Sequence, residues 1–190
     1  MTTDIVLITG AMAAGKSTVA ELLARSLPRA AHVRGDTFRR WIVSGRAEPE
    51  PPLGAEAETQ LALRQQLAAA VARGYADAGI TPVLQDLYPG AALARMRTLL
   101  TGHPLRVVVL LPGPAVLAAR DAARAKTGYR GWSPAAFDRE FRDRTPPIGL
   151  RLDTSAQTPE QTVAAIRARW PETLVPEDSP SGCPEPPRGV

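Results

Sequence analysis

Close to its start the chain carries eight residues whose types and spacing suit the capture of phosphate: Gly10-Ala11-Met12-Ala13-Ala14-Gly15-Lys16-Ser17. The pattern is G-x-x-x-x-G-K-S, in which backbone amides cradle the phosphates of a nucleotide. Gly10 and Gly15 admit backbone angles that a side chain forbids and leave room for phosphate oxygens. The amides of Ala13, Ala14, Gly15 and Lys16 form an anion nest at the positive end of the helix that follows. Lys16 reaches the outer phosphates, the Ser17 hydroxyl takes a place on Mg²⁺, and Thr18 falls near the innermost phosphate. Of 23 basic residues only Lys16 and Lys126 are lysine. A chain that otherwise uses arginine keeps a lysine where a compact point charge is wanted. The expected cofactors are ATP and Mg²⁺.

Moving a phosphoryl group also requires a carboxylate to orient and deprotonate the acceptor, and cations to offset charge in the transition state. Two aspartates stand directly after apolar runs. Asp36 follows the second run and is the candidate general base. Asp86 follows the third and is the candidate for supporting Mg²⁺ through water, although the two roles could be exchanged. The residue after Asp86 is Leu87, which disfavours the Asp-Glu pair of motor ATPases. Asp36, Arg39, Arg40 and Asp86 are the candidates for contact with the acceptor. Arg120 and Arg124 lie four apart on one helix face, ahead of Gly128 and Gly131, and suit a lid that covers the nucleotide and acts on the transferring phosphoryl group.

These groups need elements to hold them. Short apolar runs at 5–9, 31–34, 82–85, 106–111 and 148–152 read as strands, separated by helical sequence at 17–27, 37–44, 55–78, 91–100, 114–125, 134–143 and 159–169. Strands alternating with helices predict an α/β fold with a parallel sheet, and such sheets bind ligands beyond the carboxyl ends of their strands. The longest helix carries Leu61, Leu63, Leu67, Ala70, Val71 and Tyr75 at helical spacing, which predicts one face packed on the sheet. Ser133 and Thr158, each followed by proline, are expected N-caps. The segment 48–54 (EPEPPLG) reads as an exposed loop, and His32 and His103 as structural residues. From residue 171 six prolines fall in twenty residues without an apolar period, so 1–170 is expected to be the folded domain and 171–190 a disordered tail.

Composition sets outer bounds. The chain has 190 residues and a net charge of +4, and its single cysteine, Cys183, has no partner in the chain for a disulfide. No apolar stretch is long enough to span a membrane, and the first apolar run has no basic leader. A cytoplasmic protein is expected. The arginines are dispersed and aromatic residues make up 5%, so nucleic acid is disfavoured as a partner. No N-K-x-D signature is present, which argues against a GTPase switch.

The sequence resembles the small P-loop kinases, in particular the chloramphenicol phosphotransferase-like and zeta-toxin-like group. The likeness runs over about residues 4–170. It rests on GAMAAGKST (10–18), HVRGDTFRR (32–40), the run 120–132 and GLRLDTS (149–155). The resemblance implies a nucleoside-kinase-like P-loop NTPase fold, a five-stranded sheet of order 2-3-1-4-5 flanked by helices. It also implies transfer of the γ-phosphoryl of ATP to a hydroxyl of a small molecule, with an antibiotic, in the manner of a resistance phosphotransferase, among the expected acceptors. By position Asp36 matches the base, Lys16 and Ser17 the phosphate and Mg²⁺ residues, Arg120 and Arg124 the lid arginines, and Thr154 the adenine-side loop. A metabolic nucleoside or UDP-sugar kinase, or a non-kinase ATPase or switch module, are the alternatives. The chain is expected to act as a monomer or homodimer on a small-molecule acceptor.

Overall fold

The structure is a computed structural model that describes residues 2–123 and 132–176. Five strands form one parallel sheet in the order β2-β3-β1-β4-β5. They are β1 (Ile5–Gly10), β2 (Ala30–Arg34), β3 (Thr81–Gln85), β4 (Leu105–Leu110) and β5 (Leu150–Leu152). The helices are α1 (Lys16–Arg25), α2 (Asp36–Arg40), α3 (Ala55–Asp77), α4 (Ala91–Leu99), α5 (Pro114–Ala122), α6 (Pro134–Arg139) and α7 (Pro159–Ala168). A π turn, Glu140–Arg144, extends α6, and a 3₁₀ turn, Trp170–Thr173, follows α7. Every residue of β1 is buried, as a central strand covered on both faces must be. Ser133 and Thr158 cap α6 and α7, and Thr158 forms a reciprocal capping box with Gln161.

Three details differ from the sequence reading, each for a local physical reason. The face of α3 that meets the sheet is made of alanine: Ala68, Ala69, Ala72 and Ala76 are buried, whereas Leu63, Leu67, Val71 and Tyr75 are exposed. Small side chains let the helix axis approach the strands closely, and the bulky stripe turns outward. Helix α2 stops at Arg40 rather than Ser44, because the β-branched pair Ile42-Val43 followed by Ser44-Gly45 has low helix propensity, and Val43 finds nothing to pack on. Strand β5 begins at Leu150 rather than Ile148. Gly149 holds φ +70° there, and a Cβ on it would strike the Val107 carbonyl of β4.

The chain also stays in the fold beyond residue 170. Leu174 bridges Arg106, the Val175 amide donates to the Leu105 carbonyl over 2.9 Å, and Val175 is buried. Leu174 and Val175, within the expected tail, thus pair with the start of β4, and positions 177–190 lie outside the described residues. No helix among the described residues is long and apolar enough to cross a membrane.

Candidate active site

Because all five strands run parallel, their carboxyl ends gather the candidate residues along one edge of the sheet. The loop from Gly10 to Ser17 leaves β1 here. Gly10 has φ +148°, Ala13 φ +63° and Gly15 φ +92°, so the chain curls through a left-handed region that only the glycines enter without strain. A Cβ on Gly10 would strike the Leu110 carbonyl of β4, so the residue at this position must be glycine for two reasons. Lys16 Nζ lies back across the loop and donates to the carbonyls of Gly10 (2.9 Å) and Ala11 (2.8 Å). Ser17 and Thr18, in the first turn of α1, are exposed at its open end.

On one flank of this loop stand Arg120 and Thr154. Arg120, in the last turn of α5, donates from Nη2 to the Thr154 carbonyl over 3.2 Å, and its Nη1 comes within 4.0 Å of where a Cβ on Gly15 would stand. Thr154 is buried, and its hydroxyl oxygen has no hydrogen-bond partner among the described residues. Arg124 and the rest of the expected lid, residues 124–131, lie outside the described residues.

The other flank holds Asp36, Asp86 and a residue that the sequence reading did not single out, Arg64. The Gly35 amide donates to the Gln85 carbonyl, which joins the ends of β2 and β3. A Cβ on Gly35 would collide with the Asp86 carboxylate, so the glycine lets the two aspartate-bearing turns close on each other. The Tyr88 amide donates to Thr9 Oγ1 over 2.9 Å and fixes the turn after β3 against β1.

Arg64 reaches this junction from the middle of α3. Its Nε donates to Asp86 Oδ2 over 2.6 Å, its Nη2 donates to Asp86 Oδ1, and its Nη1 lies 3.8 Å from Asp36 Oδ1. Asp86 Oδ1 also accepts from the Leu87 amide. Both oxygens of Asp86, the candidate for supporting Mg²⁺, are thus engaged by Arg64. Asp36 accepts from Arg39 (3.3 Å) and from Arg40 (2.6 Å). Arg40 reaches it from the solvent side, while Arg39 lines the cavity and spends its Nη1 on Glu48 over 2.7 Å. Partial burial pushes the Asp36 carboxyl up. The hydrogen bond from Arg40 and the charges of Arg64, Arg40 and Arg39 outweigh that push and hold it below the ordinary aspartate value. Arg64 is held above its ordinary value because the neighbouring Asp86 and Asp36 outweigh its burial. Tyr88 is pushed well up by burial and by the Asp86 charge.

A cavity of about 500 Å³ runs from the phosphate loop to this cluster. It touches Met12, Lys16, Ser17 and Thr18 at one end and Asp36, Arg39, Arg64, Asp86 and Tyr88 at the other. Trp132 and Phe137 close it on a third side as an edge-to-face pair with ring centroids 5.3 Å apart, and the Trp132 indole donates to the Pro49 carbonyl over 3.0 Å. The segment 48–54, read as a plain exposed loop, therefore contributes cavity wall through Glu48, Pro49 and Leu53. Arg64 and Glu48 carried no motif that sequence could flag, and Trp132, which ends the run 120–132, was given no role of its own. The one available signal for Arg64 was a lone arginine among the Ala, Leu and Gln of mid-α3.

The loop and its surroundings fit a nucleoside triphosphate. The strained turn is already formed, a lysine spans it, and an orphaned buried hydroxyl waits at the far flank. For Mg²⁺ the fit is that of a phosphate-borne ion, which takes one or two protein oxygens and keeps its waters. Ser17 supplies such an oxygen at the cavity wall, and the described residues contain no cluster of three acidic, histidine or cysteine side chains suited to a metal.

Sheet order, phosphate loop and opposing carboxylates together define a P-loop protein with the fold of the small kinases. Residues 5–147 match the family AAA_33, described as an AAA domain, and the chain belongs to that family. No curated protein matches it. Among solved structures it is similar to APS kinase of Mycobacterium tuberculosis in complex with AMPPNP and APS, at TM-score 0.68 and 21% identity over 90% of this chain and 98% of that one. It is also similar to a sugar kinase from Janibacter sp. HTCC2649, at TM-score 0.65 and 18% identity over 90% and 96% of the two chains. A tunicamycin resistance protein from Deinococcus radiodurans matches at TM-score 0.59 and 17% identity over 92% and 99%. At these identities the likeness is one of fold.

Proposed function

We propose that the protein is a kinase that moves the γ-phosphoryl group of ATP onto a hydroxyl of a small molecule. The observation that carries this reading is the placement of Asp36. It lines the same cavity as Lys16 and Ser17, so a carboxylate is available where an acceptor alcohol would meet the nucleotide. Bound Mg·ATP supplies the electrophilic phosphorus and neutralises its oxygens. Lys16 gives up its two carbonyl contacts for phosphate oxygens, Ser17 offers its hydroxyl, and the loop amides fix the phosphates in place. Arg120 and the Thr154 hydroxyl secure the nucleotide on the other flank.

Asp36 accepts a hydrogen bond from the acceptor hydroxyl and receives its proton as the new P–O bond forms. Its lowered pKa makes it a weak base but keeps it ionised, which suits a loose transition state in which the proton leaves late. Asp86 serves this step through Arg64. It locks the guanidinium against Asp36, so the two carboxylates approach without mutual repulsion. This reading assigns Asp86 to the acceptor side, leaving Mg²⁺ to Ser17, phosphate and water. We place the enzyme in the cytoplasm, where ATP is available. Its acceptor could be an antibiotic or a sugar or nucleoside metabolite.

The test is an acceptor screen with purified protein, Mg·ATP and panels of antibiotics, sugars and nucleosides, read by mass spectrometry for a gain of one phosphate. ATP turnover should be slight until an acceptor is added. Rapid ATP hydrolysis with no acceptor and no phosphorylated product would overturn the kinase reading in favour of an ATPase module.

A further inference from the structure

Among the described residues seven large apolar side chains are exposed, and six of them belong to α3 or to the connection that leads into it. Leu63, Leu67, Val71 and Tyr75 form a row along α3, respectively 44%, 40%, 37% and 41% exposed. The row runs about 18 Å from first residue to last. Trp41 and Val43 stand on the connection. Gln60, one turn before Leu63, ties that connection to α3 by bonds to the Gly45 carbonyl and the Ala47 amide. The fold does not use the row, because Ala68, Ala69, Ala72 and Ala76 make the contact with the sheet. Charge is scarce beside it. In a chain that is 22% charged, Arg73 is the only exposed charged residue from 63 to 75, Arg64 being turned in onto Asp86. Gly74 lies inside the helix, where glycine is less stable than alanine, yet a Cβ on it would meet nothing within 4 Å. No contact among the described residues requires its missing side chain.

We propose that this face of α3 is the contact between two copies of the chain, paired antiparallel about a two-fold axis near Ala70. A two-fold contact must be its own complement, and the row is. Reversed upon itself, it sets Leu67 of one copy against Val71 of the other, and Leu63 against Tyr75 and the hole left by Gly74. Leu63, Leu67, Ala70 and Gly74 follow one another at spacings of four, three and four, the seam of two helices packed at a shallow angle, and the last two are small enough for the backbones to come close. The ends of α3 fix the direction. Its first turn carries Glu56 and Glu58, and no base precedes Arg64. Its far end carries Arg73 and, beside Gly79, the Arg29 guanidinium, while the acid there, Asp77, is bonded by His103 over 3.0 Å. Antiparallel copies set each acidic end beside a basic one and oppose the helix dipoles; parallel copies would stack like on like. Other occupants fit less well. A helix that lies on a membrane has a cationic rim, and this row has one arginine beside it. Residues 177–190 hold a single large apolar side chain, Val190, too little to cover four. The contact is independent of the chemistry in the cavity.

The test is sedimentation equilibrium of the full chain over a concentration series, with two charge variants, Leu67→Glu and Val71→Lys. Both positions are exposed, and native melting of each variant is checked first. The wild type should dimerise with a Kd on the order of 10–100 μM or tighter. Each variant alone should dimerise at least about tenfold more weakly, because it sets a charge against an apolar side chain in the seam. An equimolar mixture of the two should regain about tenfold or more, since antiparallel copies bring the new acid of one against the new base of the other and leave Leu67 against Val71 at the second contact. Parallel copies would gain nothing from mixing. A wild type that is monomeric through about 0.3 mM, a dimer that both variants leave intact, or a mixture no tighter than its components would overturn the proposal. So would a chain that dimerises only after removal of residues 177–190, which would mean that its own end covers the row. Should a variant melt early, Tyr75→Ser and Gln66→Glu serve in its place: the first should weaken the dimer and the second, at the margin of the seam, should change it less than the first, and equal effects would overturn the proposal.

Discussion

The two flanks of the cavity are built by different means. The nucleotide side is chiefly a matter of backbone: a run of eight residues, two glycines, a helix start and one lysine, all adjacent in sequence, with only Arg120 and Thr154 brought in from elsewhere. The acceptor side is a matter of side chains. Asp36, Arg64 and Asp86 come from α2, α3 and the turn after β3 and meet through ion pairs, while Trp132, ahead of α6, closes the cavity in a ring contact with Phe137. A backbone-built site is set by local geometry, so it survives changes in its neighbours and suits a ligand shared across many proteins. A side-chain-built site can be retuned one substitution at a time, and it depends on the tertiary fold for every distance.

The largest effect that would sharpen this contrast is on the backbone side. Lys16→Ala should lower phosphoryl transfer on the order of 10³-fold, with a matching loss of nucleotide affinity in titration calorimetry. Retained affinity would mean that the loop holds phosphate without its lysine. Asp36→Asn should cut turnover by about 10²- to 10⁴-fold while nucleotide affinity stays nearly constant. A parallel loss of both would break the separation between the flanks.

Arg64→Met should be the most damaging single change to stability on the acceptor side, about 3 kcal/mol by urea denaturation, because it leaves the buried Asp86 without its counter-charge. Adding Asp86→Leu should restore most of that loss. If the single variant is as stable as wild type, the pair does not organise the junction. The depressed pKa of Asp36 also has a sign. The folded state holds its proton less tightly than the unfolded chain does, so ionised Asp36 contributes stability above the ordinary aspartate value, and the contribution fades as pH falls through the native pKa. The stability gap between wild type and Asp36→Asn should therefore be full at neutral pH and shrink below about pH 4. The smallest expected effect is at the nucleotide flank. Thr154→Val should leave the melting temperature of the free protein unchanged or slightly raised, since the hydroxyl it removes has no partner, while weakening ATP binding by roughly threefold to tenfold.

Much of the fold was legible because its signals are local. Five short apolar runs between helical segments announce a parallel sheet, and prolines behind Ser133 and Thr158 mark helix starts. The strand order agrees with the one implied by the resemblance to small P-loop kinases. Helix α3 shows where such signals fail. It is apolar on more than one face, so periodicity alone picked the bulky stripe of Leu63, Leu67, Val71 and Tyr75, while the sheet accepted the alanines. Arg64 shows the same limit at the site. Its partners lie 22 and 28 residues away along the chain, and nothing near it in sequence distinguishes it from a surface arginine.

The sequence by itself determined the phosphate loop, the alternating architecture and the position of an acidic residue after each of two strands. These follow from steric rules and hydrophobic patterns that act over a few residues. Only the tertiary structure decided that Asp36 and Asp86 share one guanidinium, that the 48–54 loop and Trp132 wall the cavity, and that residues 171–176 belong to the fold. Charge pairing and burial depend on distances between elements, and those distances are fixed only once the sheet has brought the elements together.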